Sequence, residues 1–222
     1  MTMDGSSLTA MTSETMRSEL PPRPPMFAPG AVMIEKPTMT DITAAEWRVL
    51  EAQRAVHDRG RQAKAVVDLM RVASADPSFG YAISMYAHGL QAATLAIQDG
   101  RDEEFVVVCL LHDIGFTMAG PSHGEFSASL LRPYISERNR WVLEMHQLFG
   151  FPHMSEHPEV TVDERERFRG HPHFAATADF VARYDQNAVD PRIPVIGLEA
   201  FEPMVHRLFA KAPLRRFQPG LD

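Results

Sequence analysis

Six of the histidines and aspartates in this sequence could converge on a transition-metal site. In order they are His88, His112, Asp113, His123, His146 and Asp185. His112-Asp113 ends an apolar run, Phe105-Val-Val-Val-Cys-Leu-Leu111, and Gly115 stops it. An imidazole and a carboxylate at the mouth of a buried element are costly to leave unpaired. A metal ion answers that need, and so do hydrogen bonds to neighbours; the dipeptide alone does not choose between them. His88 precedes His112 by a distance that suits two antiparallel helices joined by a short turn. His123 follows across a loop, His146 closes a further helix, and Asp185 comes after Arg183-Tyr184 at the end of a long C-terminal helix. Imidazoles and carboxylates without a thiolate suit iron, zinc or manganese. A lone histidine is more often structural or exposed than a ligand. On that basis His57 is assigned to the surface, His206 to a helix face, and His171 and His173 to a helix start. His153 and His157 fall in a loop where they could line a pocket.

The elements that must position these residues are helical. Thr43-Ala-Ala-Glu46 fits a capping box and opens a first helix. A second covers about residues 62–73, with Ala65, Val66, Leu69 and Val72 on one face. The next runs over residues 81–98 and ends at Asp99-Gly100. Asp102-Glu-Glu104 places negative charge where a helix begins, so the apolar run is assigned to a buried helix over residues 103–113 rather than a strand. Residues 116–122 are expected as a loop. His123 opens a helix, another covers 137–147, and 150–158 is a loop. Thr161-Val-Asp-Glu164 is a second capping-box match. Helices over 172–184 and 199–210 complete the chain, and no segment alternates as a strand would. The expectation is an all-α bundle. Residues 1–40, rich in Ser, Thr, Met and Pro, form a flexible arm; 41–212 form the helical domain; 213–222 form a loose tail.

Composition narrows the function classes. The 222 residues are 45% hydrophobic, enough for a full core. A net charge of −7 with only three lysines argues against a nucleic-acid surface. No apolar run reaches the length of a membrane span, and no basic stretch followed by an apolar one opens the chain. The single cysteine, Cys109, lies inside the apolar run and cannot make an internal disulfide. A cytoplasmic protein acting on a small molecule, with neither nucleic acid nor membrane as partner, is the expectation. The oligomeric state is left open.

The order His, His-Asp, Asp resembles the HD-domain superfamily, and the intervening His123 and His146 resemble its dinuclear subset. Tyr86-Ala-His88-Gly-Leu-Gln91, Leu110-Leu-His-Asp-Ile-Gly115, His123-Gly-Glu125, Leu131-Arg-Pro-Tyr134 and Arg183-Tyr-Asp185 resemble the mixed-valence di-iron oxygenases related to phosphonate-cleaving HD-domain enzymes and, more remotely, to myo-inositol oxygenase. The likeness runs from about Tyr81 to the last helix and leaves out residues 1–75. It implies two irons in an Fe(II)/Fe(III) pair with O2 as co-substrate. One iron would take His88, His112, Asp113 and Asp185, the other His123 and His146, with Asp113 bridging. A substrate hydroxyl would chelate one iron, and the bond beside the hydroxyl-bearing carbon would be cleaved. Gln91 and Glu125 are candidates to orient the histidines from behind. Tyr81, Phe116, Gly150, His153 and Arg183 are candidate substrate contacts.

The sequence departs from that family at two places. Phosphonate cleavers carry a further histidine one turn after the His-Asp histidine and a lysine one turn after the last site histidine. Here Phe116 and Gly150 stand there. An oxyanion needs cationic or N–H donors, so these departures weaken a phosphonate substrate. Arg132, Arg183, His153 or His157 could supply another clamp. Two other readings compete: a metal-dependent phosphohydrolase or related hydrolase of the same superfamily, and a non-catalytic module whose metals only hold the bundle together.

Overall fold

The computed structural model describes Met26 and residues 28–213, and among them every regular element is helical. They fall into two compact units that divide between His57 and Asp58. The first contains α1 (Ala44–Asp58) apart from its last residue, preceded by a 3-10 turn at Met39–Asp41. The capping box forms as expected: the Thr43 N–H donates to Glu46 Oε2 at 2.8 Å, and the Glu46 N–H donates to Thr43 Oγ1 at 3.3 Å. Of the segment expected as a flexible arm, most lies outside the described residues. In the described part, Gln53 of α1 holds the main chain of Val32, its Nε2 donating to the carbonyl at 3.0 Å.

The second unit holds α2 (Arg61–Ala73), α3 (Met85–Gln98), α4 (Glu103–Leu111), α5 (Phe116–Ala119), α6 (His123–Leu131), α7 (Glu137–Gly150), α8 (Phe174–Phe180) and α9 (Leu198–Ala210). Its centre is α4. Asp102 caps it by accepting from the Phe105 N–H at 2.9 Å, and all seven residues from Phe105 to Leu111 are buried. A helix apolar all round must be surrounded, and α3, α7 and α9 pack against it. The β-branched run Val106–Val108 is helical because the cap and these neighbours outweigh its strand preference.

Several boundaries differ from the sequence expectation. The buried face of α2 is Ala63, Val66, Val67 and Met70, whereas Val72 is 67% exposed. Met70 on that face lies beside Gly89 of α3. Helix α3 starts at Met85, because Ser84 caps it by accepting from the Ala87 N–H at 3.2 Å, so Tyr81–Ile83 are not helical. Residues 116–122, expected as a loop, form α5 and a 3-10 turn, and α7 runs three residues beyond the expected end. The second capping box does not form. Residues Glu164–Phe168 are a 3-10 helix with Asp163 at its cap and no side-chain cap bond. Helix α8 passes into a wider π turn at Val181–Asp185, closed by the Gln186 N–H on the Val181 carbonyl at 3.0 Å. Among the described residues no single helix is long and apolar enough to cross a membrane.

Candidate metal centre

Two close helix crossings bring the histidines together. At each, a glycine follows a histidine. A Cβ on Gly89 would lie 2.6 Å from the Leu110 carbonyl oxygen, so only glycine lets α3 approach α4 this closely. Gly124 makes the same approach from α6 to α7, where a Cβ would lie 2.7 Å from the Leu143 carbonyl oxygen. As a result His88 Nε2 and His112 Nε2 are 2.9 Å apart, and His123 Nε2 and His146 Nε2 are 3.2 Å apart. The His-Gly dipeptides were visible in the sequence, and they are the signal that marks these crossings.

Each imidazole turns its other nitrogen to a main-chain carbonyl. His88 Nδ1 is 2.8 Å from the Ala188 oxygen and His112 Nδ1 2.8 Å from that of Cys109. His123 Nδ1 is 2.7 Å from the Gly120 oxygen and His146 Nδ1 2.6 Å from that of Leu143. A carbonyl only accepts, so each Nδ1 carries the proton and donates it. A neutral ring then has a bare lone pair on Nε2, and in both pairs these lone pairs face each other. Such an arrangement calls for a cation between them.

Asp113 and Asp185 supply the negative charge. Asp113 Oδ2 is 3.5 Å from both His88 Nε2 and His112 Nε2, and its Oδ1 is 3.1 Å from both His123 Nε2 and His146 Nε2. One carboxylate thus presents one oxygen to each histidine pair. Asp185, carried by the π turn, places Oδ1 3.4 Å from His88 Nε2 and 3.7 Å from His112 Nε2. With protons rather than a cation between the rings, burial would raise the Asp113 carboxyl, but the His112 charge and hydrogen bonds from His123 and His146 outweigh it and hold the group well below the usual carboxylate range. Asp185 is lowered in the same way, burial being overcome by hydrogen bonds from His112 and His88. Burial would lower His88, yet the Asp185 hydrogen bond and the charges of Asp113 and Asp185 push it up to about 9. The site demands positive charge.

The spacing fits metal ions. Bonds of about 2.1 Å put adjacent ligand atoms roughly 3.0 Å apart in an octahedron and roughly 3.4 Å apart in a tetrahedron. The His123, His146 and Asp113 atoms form a near-equilateral triangle with sides of 3.1 and 3.2 Å, the size of one face of such a shell. His88, His112, Asp185 and Asp113 Oδ2 form a second group with separations between 2.9 and 3.7 Å. These buried His and Asp groups could hold a metal ion.

No protein-family model and no curated protein matches the chain.

A cavity of about 450 Å³ opens on the two groups. Five of the six residues line it, and His112 lies behind them. Four of the candidate substrate contacts, Tyr81, Phe116, Gly150 and His153, line it as well. Tyr81 reaches the wall because α3 begins late. Arg183 does not: its Nη2 donates to Asp99 Oδ2 at 2.6 Å and its guanidinium lies over the Tyr184 ring. Among the described residues no lysine or arginine lines the cavity, and Arg132 and His157 lie outside it. Glu125 is exposed, and the orienting role expected of it falls to the four carbonyls. Gln91 is buried but touches no site histidine. Its Nε2 donates to the Asp190 carbonyl at 2.6 Å, so it holds the loop that follows Ala188.

Sequence reasoning missed the clamp behind Asp185. Tyr184, fully buried, donates its O–H to Asp99 Oδ2 at 2.8 Å and accepts from Arg101 Nε at 2.8 Å. Arg101 also bonds Asp179 and lies over the Phe105 ring. This network ties the π turn to the end of α3 and the start of α4. The run Asp99-Gly-Arg-Asp102 was visible only as a helix break.

Proposed function

We propose that this chain is a non-haem di-iron oxygenase of the HD-domain superfamily, using O2 to oxidise a small hydroxylated organic molecule with cleavage of the bond beside the hydroxyl-bearing carbon. The observation that carries this reading is the triangle of His123, His146 and Asp113 facing a cavity, next to a four-residue group that shares Asp113. Two histidines and one carboxylate on one face, with the opposite side open, are the donor set of non-haem iron oxygenases. Bound there, two irons would supply Lewis acidity toward a substrate hydroxyl and one-electron chemistry toward O2.

The rest of the work belongs to the chain. The four Nδ1–H bonds fix each ring's tautomer and aim, which preserves an open position that freely turning imidazoles would close. Asp113 holds the two groups at one separation through a single rigid carboxylate. Phe116, whose ring centroid is 5.3 Å from that of His123, shields one side of the triangle from water. The lining also favours this reading over a phosphohydrolase. A phosphoester brings fixed negative charge, and among the described residues the cavity presents it no lysine or arginine.

Elemental analysis of protein purified without added metal tests the proposal. About two irons per chain are expected, with oxygen uptake when hydroxylated substrates are added. One zinc and no iron would defeat it, and hydrolysis of phosphoesters without oxygen uptake would replace it with the hydrolase.

A further inference from the structure

The cavity wall beyond the ligands has a consistent chemistry. Phe116 stands beside His123, and Gly150 lies one helical turn after His146, so these two residues flank the open side of the triangle. Met85, Phe151, Val181 and Val189 also line the cavity, and the polar wall groups beyond the ligands are the amides of Gln147 and Gln186, the Tyr81 hydroxyl and the exposed His153.

Resting on the reading of this cavity as the substrate site, we propose that it selects a molecule with one oxygen-bearing end at the ligands and an uncharged, apolar body that passes between Phe116 and Gly150 toward the mouth. The volume of about 450 Å³ lies within the range of small-molecule sites. That is room for two ions and an organic molecule of roughly ten non-hydrogen atoms. A charge placed in the body would lose its water between a phenyl ring and a glycine, with no lysine or arginine among the described lining residues to receive an anion. An alkyl body loses nothing there and gains about fourfold in affinity for each methylene buried.

Gly150 sets the length of that body. Its backbone is ordinary right-handed helix (φ −70°, ψ −27°), and a Cβ built on it meets nothing within 4 Å. Glycine is therefore not required by the fold here, unlike at Gly89 and Gly124, and the space it leaves belongs to the cavity. Gly150→Leu fills that space without disturbing α7.

The test is binding to the iron-loaded protein under argon, read by calorimetry and by melting temperature. The probes are 2-hydroxy carboxylates from 2-hydroxypropanoate to 2-hydroxyoctanoate, with 2-hydroxybutanedioate as the charged counterpart of 2-hydroxypentanoate. Affinity is expected to rise by about fourfold per methylene until the cavity is filled. The dianion is expected to bind at least about tenfold more weakly than its alkyl counterpart. A flat series, or a dianion that binds as well, overturns the proposal. Gly150→Leu should weaken the longest members by about tenfold or more relative to 2-hydroxypropanoate; an equal loss across the series overturns the role given to Gly150. Phe116→Ala should move the optimum toward longer or branched members, and an unmoved optimum counts against the proposal. Admitting oxygen afterwards separates the two readings. Chain-length-dependent binding without oxygen uptake upholds the cavity assignment and defeats the oxygenase. Oxygen uptake without chain-length dependence does the reverse.

Discussion

Asp113 is the residue on which both histidine pairs depend. Its two oxygens face opposite ways, each within 3.5 Å of two imidazole nitrogens. Asp113→Ala is therefore expected to lose both metals, leaving metal content near zero, whereas His146→Ala is expected to lose mainly one. Equal losses by elemental analysis would contradict the shared role. The six residues of the site were legible as types in an order. What the sequence could not carry was the direction of each ring, because three of the four Nδ1 nitrogens bond a carbonyl three residues back and the fourth reaches Ala188. Sequence reasoning looked for side chains in that role and named Gln91 and Glu125. Main-chain acceptors leave no residue type to read. Arg183 failed for a related reason: it lies next to Tyr184 and Asp185 in sequence, but the π turn directs it to Asp99.

At the scale of elements, the site depends on how closely two pairs of helices approach. Gly89→Ala and Gly124→Ala each set a methyl against a carbonyl oxygen, at 2.6 and 2.7 Å. Backbone must move to relieve that contact, at a cost of about 1–3 kcal/mol. Each variant is expected to melt lower and to lose metal, because moving the helices apart opens the 2.9 or 3.2 Å histidine pair. Gly150→Ala, in open space on a helical backbone, should instead be neutral or raise stability by a few tenths to about 1 kcal/mol. A similar melting temperature for all three would show that close approach is not what these glycines provide. Helix existence was readable from caps and apolar spacing, most clearly at Thr43-Ala-Ala-Glu46 and in α4. Helix ends and faces were less so. Ser84 was overlooked as a cap, which misplaced the start of α3. The α2 face carries Met70, beside Gly89, rather than Val72. The π turn has no local sequence signature; it exists because Tyr184 is held by Asp99 and Arg101 from two other elements.

For the whole molecule, an all-α architecture was legible from periodicity without any strand signal, and the described residues are helical throughout their regular elements. The Tyr184 clamp bears on how this architecture assembles in time. The two histidine pairs close over short stretches of chain, 24 residues for His88 with His112 and 23 for His123 with His146. The π turn must come back across 85 residues to reach Asp99, and the Ala188 carbonyl across 100 to reach His88. Short closures form early and long ones late, because loop entropy must be overcome before the contact rewards it. On the proposed reading, a folding chain would meet iron first as two helical hairpins already bearing four imidazoles, and the last segment would shut over the ion afterwards. Tyr184→Phe removes hydrogen bonds made only in that last step, worth about 1–2 kcal/mol. Stopped-flow kinetics should find unfolding accelerated by roughly tenfold with the folding rate almost unchanged; a slowed folding rate would mean that the clamp forms early. On the same reading, iron release should accelerate with unfolding of this segment alone, and the bonds that aim Asp185 would also set how long the metal stays.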